Sequence, residues 1–353
     1  MIVALLALQL GSLVAPAYAC GCGAMVADRA QRIGVDRETS AVRWDGRTEE
    51  IVMRFTVRGN AERAAWIMPV PSRADVALGD GALFDELDRL TRPEHRDRHY
   101  FWPRGDDWPF ADRDMDGAGA APPGASAADV GVVGRERLGP FDVARLTATD
   151  PKALSGWLEQ NGFELSGRLA TELKPYVEQE WEYVAVRLAP DDEGTVLRGE
   201  LDPLKIRFAS DRLVYPMRLS RLAQTPQSLG LYVLADHRME PRDTIGGARP
   251  EVRFAGPIQP EGAVAGLTGG RGRVYLTALD QEFPEPSRID GDHELRAVSD
   301  TPYREIVYTD RLLTVGGGIP VWLLTVSGVL MVGVATAVAV RVRRQRAGVR
   351  SAV

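Results

Sequence analysis

Apolar residues alternate with polar ones at Ile51, Met53, Phe55 and Val57, against Arg54, Thr56 and Arg58, which is the two-residue period of a half-buried strand. Alternation, or a short apolar run between turn residues, predicts further strands at Ala64 to Val70, Phe141 to Thr147, Trp181 to Leu188 and Leu204 to Phe208. The same signals recur at Val214 to Leu219, Leu229 to Ala235 and Val274 to Leu279. Two helical patterns interrupt them. Asp80 can cap a helix with the stripe Leu83, Phe84, Leu87 and Leu90, ending before Pro93. Asp150-Pro151 supplies a cap and first turn, Leu154, Trp157 and Leu158 a face, and Asn161-Gly162 a left-handed stop. A third helix, about Leu169 to Lys174, is expected to stop at Pro175. The expected class is α+β, a mainly antiparallel sheet body with two or three short helices over residues 20–282. A division into lobes 20–102 and 137–282 is allowed by the segment between them.

That segment, residues 103–134, loses all periodicity and fills with Asp, Gly, Ala and Pro, the composition of a flexible insertion. A second loose stretch, 283–318, ends in Gly316-Gly317-Gly318 and reads as a juxtamembrane linker. The membrane itself is expected at the next segment. Residues 319–340 contain no charge, and 22 residues at about 1.5 Å each reach about 33 Å, enough to cross a bilayer core. Behind them lie Arg341, Arg343, Arg344, Arg346 and Arg350 without an acid, so the tail 341–353 is expected on the cytoplasmic side. Residues 1–19 are also uncharged and end in Ala17-Tyr18-Ala19, a small-x-small cleavage pattern that predicts an export signal peptide. The segment lacks a basic start, which leaves open an atypical signal or an earlier initiation, and it is short for a membrane anchor. The body between the two apolar ends is thus expected on the extracytoplasmic side.

Composition adds little to the fold and something to the partners. At 44% hydrophobic and 26% charged residues the chain can build a core, which excludes wholesale disorder. Five of its 43 basic residues follow residue 319, leaving 38 against 49 acids in the body, a net charge of −11. Nucleic acid is therefore not an expected partner.

Few constellations suggest chemistry. Asp112, Asp114 and Asp116 before Gly117 open like a calcium loop, in which alternate carboxylates of a tight turn converge on one hard cation. Position twelve of such a loop is Pro123 and not Glu, so a solvated acidic loop is the competing reading. His95 and His99 have the i, i+4 spacing of a helical zinc pair, but Pro93 and the aromatic run after them make a helix doubtful. Cys20 and Cys22, the only cysteines, could form a disulfide across Gly21 or carry a lipid at Cys20, while two cysteines alone make a poor zinc site. Tyr100, Phe101, Trp102 and Trp108 cluster at the edge of the acidic insertion, where an aromatic patch could meet a protein or a glycan. Hydrolase and phosphate-loop signatures are missing, and no residue stands out as a general acid.

Several stretches, in order, resemble the bacterial family called domain of unknown function 2330. They are Ala19-Cys20-Gly21-Cys22, Ala65-Trp66-Ile67-Met68-Pro69-Val70-Pro71-Ser72, Leu83-Phe84-Asp85-Glu86-Leu87 and Thr91-Arg92-Pro93. The resemblance continues through Gly139-Pro140-Phe141-Asp142, Trp157-Leu158-Glu159-Gln160-Asn161-Gly162-Phe163, Pro175-Tyr176-Val177 and Tyr215-Pro216-Met217-Arg218-Leu219. It implies an exported bacterial protein and no activity. Many members of that family carry a further cysteine in the loop after the first helix; Tyr100-Phe101-Trp102 stands there instead, which excludes a disulfide from the N-terminus to that loop. The functional expectation is an anchored cell-surface binding or scaffold module. The alternatives are an enzyme with an unrecognised site, or a sensor or partner subunit acting through the span.

Overall fold

Strands make up 43% of the chain and helices 26% in the computed structural model, so sheet dominates as the alternation predicts. The described residues are 18–20, 23–27, 31–108, 142–147, 151–188 and 195–350. They separate into two units, Met1–Pro93 with Val133–Glu305, and Glu94–Val132 with Ile306–Val353.

The first unit is layered. A nine-stranded sheet runs Tyr303–Arg304, Glu251–Ile258, Val274–Phe283, Gln227–Ala235, Ile33–Trp44, Thr48–Gly59, Leu204–Ala209, Ala74–Leu78, with Gly199–Glu200 also on Thr48–Gly59. Every pairing in it is antiparallel except Gln227–Ala235 beside Ile33–Trp44. A five-stranded antiparallel sheet runs Tyr18–Cys20, Gly23–Ala27, Ala64–Val70, Glu182–Leu188, Asp142–Thr147. Between the two sheets lies the largest core cluster, with Met53, Phe55 and Leu231 on one side and Trp66, Met68 and Val186 on the other. A three-stranded sheet, Leu213–Tyr215, His293–Ala297 and Met239–Pro241, contributes Tyr215, Leu295 and Met239 to the same cluster. Ala64–Val70 is buried at all seven positions because Trp66 and Met68 face this cluster while Ala65 and Ile67 face another. A strand covered on both sides reads as a continuous apolar run, as this one does. Gly23 has no alternative: a Cβ there would lie 2.4 Å from the Ile67 carbonyl oxygen.

Helices cover the outer faces. On the nine-stranded sheet lies α1, Ala82–Thr91, which buries Leu83, Phe84 and Leu87 against Val52 and Leu276. Gly81 and not Asp80 is its N-cap; Asp80, one residue earlier, accepts the Ala82 N–H at 2.9 Å. On the five-stranded sheet lie α2, Pro151–Gln160, and α3, Gly167–Glu178, burying Leu154, Leu158, Leu169 and Leu173 against Ile67 and Ala185. Gly162 takes the predicted left-handed conformation (φ 84°).

Three expectations are corrected here. Pro175 does not end α3 but sits inside it. An interior proline costs about 3 kcal/mol; Tyr176, fully buried one residue later with its hydroxyl 2.7 Å from Asp292, offsets that cost. A fourth short helix, α4, Gly262–Thr268, has no capping side chain of its own and two glycines, so its pattern is weak; Glu86 of α1 accepts its Val264 N–H instead. The two lobes are not separate, since Ile33–Trp44 pairs with Gln227–Ala235 and Ala64–Val70 with Glu182–Leu188.

In the second unit, Glu94–Tyr100 and Ile306–Leu312 form a parallel pair, and Thr314–Val315 pairs with Ile319–Pro320 before α5, Val321–Arg350. The apolar segment Val321–Arg344 has a mean hydropathy of 2.3, and only Trp322 at its start is buried by the rest of the chain. The apolar helix therefore begins two residues later than the expected span, because Ile319 and Pro320 close a hairpin. Residues 283–318 are likewise no plain linker: they hold strands His293–Ala297, Tyr303–Arg304 and Ile306–Leu312. Ile306–Leu312 escapes detection because neither of its alternating faces is apolar or buried.

Candidate functional site

The sequence-predicted residues scatter. Asp112, Asp114, Asp116 and Cys22 lie outside the described residues, and Cys20 ends an edge strand in register with Gly23. His95 and His99 lie on an exposed strand, where four residues span about 13 Å, so the helical zinc geometry does not arise. Among the described residues no group of three or more His, Cys, Asp or Glu could hold a metal ion.

Of Tyr100, Phe101, Trp102 and Trp108, Phe101 and Trp102 meet each other, whereas Tyr100 and Trp108 find other partners. The Tyr100 hydroxyl donates to Asp107 at 2.5 Å, the Arg104 N–H donates to the same oxygen at 3.0 Å, and the Arg104 guanidinium lies 4.5 Å over the Tyr100 ring. The hydrogen bond to Asp107 holds the phenol pKa above its ordinary value. Phe101 and Trp102 meet edge to face, and Trp108 packs on Trp322, the second residue of α5, with ring centroids 5.3 Å apart. The strand end is tied to the helix start: Leu313 N–H donates to the Tyr100 carbonyl and Val321 N–H to the Leu313 carbonyl, both at 2.9 Å.

A second group, which the sequence pattern hides, is buried between the sheets of the layered unit. Glu38 and Ser40 sit on the inward face of Ile33–Trp44, exposed by 1% and 0%. The Tyr215 hydroxyl donates to Glu38 and lies 2.6 Å from the Ser40 hydroxyl, which then donates to it. Tyr215 is in register with His293, so the two side chains share a face. His293 Nε2 donates to Gln281 Oε1 at 2.8 Å, because the Gln281 amide nitrogen is spent on the Ile245 and Ala248 carbonyls. Burial pushes the His293 pKa down to about 4, which keeps the ring neutral. Glu49, also fully buried, receives the Val214 N–H at 3.2 Å, yet burial dominates and raises its pKa well above the carboxylate range. The one sequence signal was an acid and a serine at positions where the strand's alternation calls for apolar residues.

Two clefts open on the layered unit. One, of 330 Å³ between α2, α3 and the five-stranded sheet, is lined by Leu154, Leu165, Ala170, Leu173, Val177 and Tyr183, with Lys174 and Glu178 as its charged members. The other, of 620 Å³ beside α1 and α4, is more polar: Glu50, Asp80 and Lys205 line it together with Gly79, Gly81, Gly262 and Gly266. Glu38, Glu49 and His293 line neither.

Fold and sites together define a mainly antiparallel, layered sheet protein carrying one apolar C-terminal helix. Residues 16–296 match the family described as "Uncharacterized protein conserved in bacteria (DUF2330)", and the chain belongs to that family. No curated protein matches. A solved structure, the crystal structure of baculovirus P35, aligns with 77% of this chain and 97% of its own at 10% identity, but its TM-score of 0.29 carries no argument.

Proposed function

We propose that this chain is a membrane-anchored binding or scaffold module whose layered body stands on the extracytoplasmic side. The observation that carries this reading is the bare apolar helix. Of the twenty-four residues Val321–Arg344, of mean hydropathy 2.3, the rest of the chain buries only Trp322, and exposing the remainder to water would be costly. Lipid is the solvent that suits them. The arginines after residue 340, against a body of net charge −11, favour the orientation with the tail inside the cell. The resemblance of residues 1–19 to an export signal agrees with it.

Binding is favoured over catalysis because the buried carboxylate and imidazole with shifted pKa values, Glu49 and His293, line neither open cleft. The enzyme reading keeps one specific support, the approach of Glu50, Asp80 and Lys205 to the 620 Å³ cleft. A photoreactive residue at Lys174 or Lys205, in cells bearing the full chain, tests the matter. The binding reading expects a discrete crosslinked product from one of these positions and none from exposed Glu62, which lines neither cleft. Equal, diffuse labelling from all three positions would contradict it.

A further inference from the structure

Trp102 and Trp108 are 59% and 47% exposed, a large aromatic area to leave in water on a segment that is otherwise well tied down. Their position relative to α5 says what covers them. The residues from Val321 to Val340 rise about 30 Å, the thickness of a hydrocarbon core, so Trp322 falls at its outer edge, with Arg341 and Arg343 beyond the other. Trp108 lies against Trp322, and the relay of hydrogen bonds from Tyr100 through Leu313 to Val321 fixes the strand end beside the first turn of the helix. That level of a bilayer is where indole and phenol rings are stabilised, their apolar body in the acyl boundary and their N–H or O–H among the headgroups.

Resting on the anchoring proposed above, we infer that Trp102 and Trp108 form an interfacial collar, embedded in the headgroup region of the same membrane that α5 crosses. Its partner is the lipid itself and not a glycan or a second protein. Arg98 and Arg104, both on this unit with side chains about two-thirds exposed, can extend toward lipid phosphates while keeping their ion pairs with Asp310. The collar limits tilting of the unit at its root, because Trp108 and the strand end that precedes Trp102 are held beside the first turn of the helix.

The experiment uses the full chain in nanodiscs of phosphatidylcholine carrying bromines at a shallow acyl position, with tryptophan emission as the readout. The parent is Trp322→Phe, which keeps an aromatic ring in the helix and removes its signal. The inference expects shallow bromines to quench the parent, and that quenching to be lost in the Trp102→Phe, Trp108→Phe variant. Equal quenching of parent and variant, in chains that co-elute with the disc, overturns the collar and leaves anchoring intact. A chain that does not enter the disc at all overturns both.

Discussion

Ile33–Trp44 in the layered unit and Ile306–Leu312 in the other are both strands whose sequences mix apolar and charged residues, and they treat their polar groups in opposite ways. The first takes Glu38 and Ser40 into the core and satisfies them with Tyr215. The second leaves Asp310 and Arg311 in solvent, paired with Arg98 and Asp97 on its neighbour, and buries no residue of its own. Exposed ion pairs contribute between about 0 and 1 kcal/mol each, so the layered unit stands on its core and the second unit does not. Among its described residues the second unit contributes nothing to a core cluster, and the membrane beside α5 is the cover the proposal assigns to it.

The contrast can be broken at three places. The largest effect belongs to Trp66, fully buried and packed on Phe55 at a centroid distance of 5.6 Å. Trp66→Ala should cost about 3–5 kcal/mol of the stability of the layered unit, read by urea unfolding of the full chain in detergent; a loss below about 1 kcal/mol would mean the inter-sheet cluster is not what holds the unit.

His293 comes next. Its folded pKa of about 4 lies below the ordinary 6.5, so its contribution is present above pH 6.5 and is lost as pH falls toward 4. At about 1.4 kcal/mol per pH unit, that gap amounts to roughly 3 kcal/mol. Glu49 works in the opposite sense: its raised pKa gives stability that is present at low pH and declines as pH rises above the ordinary 4.5. The wild type should therefore show a muted pH profile. In His293→Gln the histidine slope is lost while that of Glu49 remains, and the lead of wild type over variant should widen by roughly 3 kcal/mol from pH 4 to pH 7. A lead that stays flat would show that His293 is not held neutral.

The smallest effect is the counterpart of the first. Trp102→Ala in detergent should change unfolding by no more than about 0.5 kcal/mol. A loss comparable to that of Trp66 would place Trp102 in a protein core and end the contrast.

Much of the layered unit was legible in the sequence. Ala64–Val70, α1 and α2 announced themselves because apolar patterning and breakers agreed. Ile33–Trp44 did not, although it is central to the nine-stranded sheet: Glu38 and Ser40 occupy inward positions that alternation reserves for apolar residues, and a bulge between Val35 and Arg37 shifts the register. The buried network thus hid the strand that carries it. The break expected at Pro175 failed because tertiary packing of Tyr176 outweighed a local preference. Ile306–Leu312 was hidden for the reverse reason, having no apolar face to betray it. Of the candidate site, the aromatic cluster was visible as residues close in sequence. Its contact with Trp322, more than 200 residues further on, was not.

The claim that the body stands outside and the tail inside can be tested by labelling bacterial spheroplasts with a membrane-impermeant maleimide, in a chain whose Cys20 and Cys22 are replaced by serine. Cysteine placed at Glu62 should react in intact spheroplasts, and cysteine placed at Arg346 only after lysis. The opposite pattern, with Arg346→Cys labelled from outside and Glu62→Cys protected, would contradict the orientation and the surface role drawn from it.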